Sequence, residues 1–116
     1  MPQRTRCRTL AAKDAITINS TICDAIRQHH WLQFRIGART YVVEPYAYGV
    51  MPEGDHALWA WHLLVVGHDD SQQKQRWVLR YLDEMQNLEM LPETFEGSRP
   101  GYSVDRLPLL TVYARL

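Results

Sequence analysis

Apolar positions along the chain fall into one stretch with helical spacing and several with a period of two. Ile22, Ala25, Ile26 and His29 recur at intervals of three and four, which places them on one helical face. Ser20 precedes them as a candidate N-cap, so the pattern predicts a helix starting near Asn19-Ser20. Arg27, His29 and His30 then suit the negative end of its dipole. From Trp31 to Ile36 apolar and polar residues alternate, and Gly37-Ala38-Arg39 supplies a turn. Thr40 to Glu44 is rich in β-branched and aromatic side chains and reaches Pro45, which suits a strand end or a sheet edge.

Tyr46 to Val50 continues extended to a turn at Met51 to Asp55. The most apolar stretch, Ala57 to Val66, stops at Gly67 and reads as a buried strand. His68 to Gln75 is polar and reads as a loop. Arg76 to Leu82 is a further strand, which Leu88 to Leu91 would extend after a kink near residues 84–87. Pro92 to Val104 reads as a long irregular link, and Leu109 to Ala114 as the last strand. One helix and about five strands predict a mainly β (α+β) domain over residues 19–116, preceded by a flexible basic arm over 1–18.

Composition narrows the function. In 116 residues, 46% hydrophobic and 22% charged, a single globular domain is expected. Lys+Arg and Asp+Glu are both 13, so any hold on nucleic acid must come from a local patch. Cys7 and Cys23 make no metal motif, which points to a reduced, cytoplasmic setting. No apolar run approaches the roughly 20 residues of a membrane span, and no signal-peptide core follows Arg4, Arg6 and Arg8. An arm of 18 residues is too short for a helix-turn-helix, so direct DNA reading would need a partner protein.

Catalytic signatures are missing: there is no phosphate loop, no GxGxxG and no HExxH, and no histidine aligns with a nucleophile. The expectation is a non-enzyme without cofactor. His56, His62 and His68 are evenly spaced and could share a strand face, but metal ligands gather at closer spacing, and surface or hydrogen-bonded histidines are expected. Trp59 and Trp61 lie two apart and must point the same way, either to stack bases or to fill a small core.

The order of these pieces resembles the WYL domain, especially its small free-standing relatives. The resemblance runs from about Ile22 to Leu116 and is carried by Ala25-Ile26 with Leu32-Gln33-Phe34-Arg35, and by Val43-Glu44-Pro45 with Tyr48-Gly49. Trp77, Leu82-Asp83-Glu84-Met85, Glu93-Thr94-Phe95-Glu96-Gly97 and Arg99-Pro100-Gly101-Tyr102 complete it. The motif that names the family falls near His56-Ala57-Leu58, where only the Leu is kept. The resemblance implies an Sm-like, strongly bent five-stranded β-barrel or sheet behind an N-terminal helix. It also implies a bacterial or phage setting, a link to transcription regulation, and sensing of nucleic acid or nucleotide-derived ligands.

Arg35, Arg39, Arg76 and Arg80 fall in or beside strands that the resemblance makes neighbours. Arg76 and Arg80, an even number apart, face one way on a regular strand. With a rim of Tyr41, Tyr46 and Tyr48 they form a candidate site for a phosphate with a base attached, against the alternative of solvated surface charges. The expected ligand is a nucleotide or a short single strand. The rival expectation is a protein-interaction module that has lost this site and assembles as a homo-oligomer through edge strands such as Leu109 to Leu116.

Overall fold

The computed structural model describes residues 18–67, 74–97 and 99–116. The basic arm and His68 therefore lie outside the described residues. Helix α1 spans Ser20–Gln28, followed by strands β1 (His30–Ile36), β2 (Arg39–Val50), β3 (His56–Val65), β4 (Arg76–Tyr81), β5 (Gln86–Thr94) and β6 (Thr111–Arg115). Short 3-10 turns at Leu82–Glu84 and Val104–Arg106 flank β5 and β6.

Asn19, rather than Ser20, caps α1. Its side chain accepts the Ile22 N–H, and Ser20 becomes the first helical residue. At the other end His29 adopts a left-handed conformation, φ 59°, and its N–H closes onto Ala25 and Ile26 carbonyls. The chain then enters β1 at once. Ile22, Ala25 and Ile26 are fully buried, as the helical spacing requires. Burying an isoleucine stabilises by about 1.5–3 kcal/mol, so this face, more than propensity, holds so short a helix.

Among the described residues the pairings are antiparallel, in the order β4-β3-β2-β1-β5, with β6 pairing β2 off that path. The sheet thus has six strands among the described residues, where about five are expected from sequence. The additional one is β5, which pairs with β1 instead of prolonging β4. Strand β2 organises the rest: β3 follows it from Tyr41 to Val50, while its other edge takes β1 at Arg39–Val43 and β6 at Ala47–Val50. Pro45 does not end this strand. It lies at an irregularity between Pro45 and Ala47, where a missing N–H is tolerated and the strand bends.

One sheet face packs on α1. Leu32, Phe34, Val43, Tyr48, Leu58, Ala60 and Val78 meet Ile22, Cys23, Ala25, Ile26 and Ala114 there. Cys23 is a buried free thiol, and burial pushes its pKa up. No helix among the described residues is long and apolar enough to cross a membrane.

Candidate functional site

Residues at the end of the α1-facing side of the sheet form a basic cluster around a buried histidine. In register, His62 on β3 lies opposite Arg76 on β4, and Leu58 lies opposite Arg80. Paired residues share a face, and alternation puts Leu58 and His62 together, so both arginines flank one side. Tyr41 reaches the same place from β2. Its ring meets the His62 ring edge-on at 5.9 Å, and the Arg80 guanidinium lies over it at 4.8 Å.

That contact also measures curvature. Tyr41 stands opposite Val65 and Arg80 opposite Leu58, positions seven residues apart on β3. On a flat sheet they would be separated by about 23 Å, farther than the two side chains reach. The sheet is curled, and the cluster sits within its concavity.

Electrostatically the cluster is unusual. His62 is only 2% exposed, and its pKa is lowered by burial first and then by Arg76 and Arg80. It is therefore a neutral imidazole near neutral pH. Its Nδ1 and the Arg80 Nε are both buried and have no hydrogen-bond partner. Arg76 is exposed and donates to the Lys74 carbonyl at 2.9 Å. Neither arginine forms an ion pair among the described residues. Two uncompensated guanidiniums, a neutral imidazole and a phenol ring can hold an anionic group that carries an aromatic part.

The remaining residues expected at the site are not brought into this cluster. Arg35 is exposed on β1, where it donates to Gln86 Oε1 at 2.6 Å, and Arg39 is exposed at the start of β2. Tyr48 is fully buried in the core; its hydroxyl accepts the Asn19 N–H at 2.9 Å and bonds His56 Nδ1 at 2.7 Å. Burial, with smaller contributions from Cys23 and Tyr113, pushes its pKa up to about 12. Tyr46, also fully buried, belongs to the opposite side of the sheet. Sequence reasoning left His62 among surface or hydrogen-bonded histidines, although a polar residue inside an apolar strand was a signal for it.

The opposite side is aromatic. Trp59 and Trp77 stack at 5.6 Å with 4° between their planes, and Trp61 meets Trp77 edge-on at 5.2 Å. Trp59 and Trp61 do share a face, and both are partly exposed rather than part of the α1 core. Tyr46 packs among Trp77, Phe95 and Tyr102 at 4.9, 5.4 and 4.9 Å. Across this surface Arg99 forms a two-point ion pair with the buried Glu44, at 2.9 and 3.0 Å, and covers the Trp61 ring at 5.2 Å. The link from Phe95 onward thus closes over the sheet through Arg99, a role that no local pattern announces. Among the described residues no group of three His, Cys, Asp or Glu side chains is placed to hold a metal ion.

Among the described residues these features define a mainly β, antiparallel sheet domain with one packed helix, a basic cluster in the concavity and an aromatic outer face. Comparison with protein-family models, curated proteins and solved structures finds no match for the chain.

Proposed function

We propose that the chain is a non-catalytic binding module, similar to a WYL domain, that takes a nucleotide-derived ligand or a short single strand of nucleic acid. One observation carries this reading: Arg76, Arg80 and Tyr41 converge on His62 and leave Nδ1 and Nε unpartnered. Buried polar atoms are almost always satisfied, so a pair of exceptions at one place calls for a reason. A local rearrangement that opens them to a phosphate bonded to the guanidiniums would supply one. A helix followed by a curled antiparallel sheet accords with the Sm-like architecture that the resemblance implies. A cytoplasmic, regulatory role in a bacterial or phage setting goes with this reading.

Native mass spectrometry of the purified protein tests it, alone and with cyclic dinucleotides, cyclic oligonucleotides and short single-stranded DNA. A retained nucleotide mass is expected, and it should disappear in the Arg76→Ala, Arg80→Ala double variant. Retention in that variant, or no adduct with any probe, would remove the site.

A second reading, a protein-interaction module, is favoured by the free edges. Among the described residues strand β5 pairs only with β1 and β6 only with β2, and Leu110 beside β6 and Val112 within it are 68% and 38% exposed. The same spectra distinguish it, because this reading expects a dimer or ring with no nucleotide.

A further inference from the structure

The basic cluster contains a group that can change its charge. His62 is 2% exposed and stands opposite Arg76 across the β3–β4 pair. Its ring lies 5.9 Å from the Tyr41 ring, and the Arg80 guanidinium lies 4.8 Å from that same ring. Two permanent cations thus flank a titratable imidazole that water hardly reaches.

The other charged groups around these elements are engaged or remote. On α1, Asp24 and Arg27 are half or more exposed and pair with each other at 3.8 Å. Asp83 and Glu84 follow β4 beyond Tyr81, which pairs with Ala57 at the far end of β3 from His62. Glu44 is held by Arg99, and Arg39 and Lys74 are exposed. His29 and His30 bond the Phe95 and Leu91 carbonyls, and His56 bonds Tyr48. The groups that face His62 are therefore the Tyr41 phenol and the Arg76 and Arg80 guanidiniums.

A proton on His62 places a third positive charge in this cluster. Burial first, then Arg76 and Arg80, hold the imidazole below its ordinary range. An anion on the guanidiniums offsets that repulsion. It need not touch the buried Nδ1, because the Coulomb interaction acts across several ångströms and strengthens where water is excluded. Whatever factor the anion contributes to protonation of His62, a protonated His62 returns to the anion.

We propose that anion binding at Arg76 and Arg80 is coupled to the uptake of a proton by His62, so that the module holds its ligand more tightly as the pH falls. This coupling rests on the reading of the cluster as an anion site. Between the midpoints of the free and the bound protein, the complex carries a proton that the free protein lacks. Affinity therefore rises as the pH falls through the bound midpoint and levels off below the free one. Couplings between sites are about 5- to 150-fold. Solvent screens part of this one at the exposed Arg76, so about tenfold is expected.

The test uses the full chain and a thymidine tetranucleotide without terminal phosphate, whose diesters and bases keep their charge between about pH 5.5 and 8. Calorimetric titration at both ends of that range, in two buffers of different ionisation enthalpy, measures affinity and proton uptake. 15N NMR follows the His62 ring against pH, with and without the tetranucleotide. Binding should be about tenfold tighter at the lower pH, with net proton uptake. The bound His62 midpoint should lie about one pH unit higher. In His62→Gln the dependence on pH should vanish. Equal or weaker binding at the lower pH, or a His62 midpoint that the tetranucleotide leaves unmoved, would overturn the coupling and leave the anion site standing. Dependence that persists in His62→Gln would assign the proton to another group and overturn it too. No binding at either pH, of the tetranucleotide or of a cyclic dinucleotide, would remove the anion site and the coupling together.

Discussion

At the scale of single residues, three buried polar groups have measurable consequences, two of them through particular partners. The Tyr48 hydroxyl joins the first turn of α1 to β3 by accepting from Asn19 and bonding His56. Tyr48→Phe keeps the ring and its core packing but leaves both partners unanswered, so it should cost about 1–2 kcal/mol in urea denaturation. A change within error would show that water replaces the hydroxyl. The Glu44 side chain is 5% exposed and its counter-ion Arg99 36% exposed. Arg99→Met leaves a buried carboxylate unpaired and should cost about 3 kcal/mol; a stabilised variant would contradict the account. His62 has a lowered folded pKa, as a paired carboxylate does, but here burial of the imidazole is the first cause. Burial lowers its folded pKa below the ordinary 6.5, as it does for His56. As the pH falls through about 6.5 the unfolded chain takes up protons that the folded chain refuses, so stability is full above that value and declines below it. Denaturation midpoints at successive pH values should show this decline, shallower in His62→Gln. A variant with the same slope as the parent would remove His62 as its source.

At the scale of elements, β6 depends on one backbone position. Gly49 on β2 lies against β6 so closely that an added Cβ would collide with the Thr111 carbonyl. Gly49→Ala should therefore cost about 3 kcal/mol by overpacking or release β6 altogether. Hydrogen exchange at Val112 and Ala114 distinguishes the two outcomes, and unchanged protection with unchanged stability would contradict this close approach. Helix α1 and strand β1 were legible because each presents a clean period to one core, 3.6 for Ile22-Ala25-Ile26 and two for Leu32-Phe34. Strands β2 to β4 were legible instead from their apolar, β-branched and aromatic runs, eight consecutive residues of β2 being buried. The cap was misplaced by one residue because Asn19 and Ser20 are both good capping residues and only geometry chooses between them. Strand β5 was not legible as a separate strand. Its register against β1 shifts twice, and Leu88 and Leu91, three apart, are its partly buried residues, so no alternation survives. Pro45 misled for a related reason: the irregularity that accommodates it depends on β3, which is distant in sequence.

At the scale of the whole molecule, the sheet separates two kinds of chemistry. Its concave side, shared with α1, gathers Tyr41, His62, Arg76 and Arg80, while its outer side gathers the tryptophans, Glu44 and Arg99. The even spacing of Arg76 and Arg80 was enough to place them together from sequence. The curl that brings Tyr41 to Arg80, and separates both from Tyr46 and Tyr48, was not, because curvature arises from pairings between distant segments. Since the central claim is that this concave cluster receives a nucleotide, the most direct measurement is 15N NMR of His62 and Arg80 during a nucleotide titration. The His62 Nδ1 and Arg80 Nε resonances should move together and saturate, and the Arg76→Ala, Arg80→Ala variant should show no saturable shift at His62. A nucleotide that binds while both resonances stay fixed would contradict the account and place its site elsewhere on the molecule.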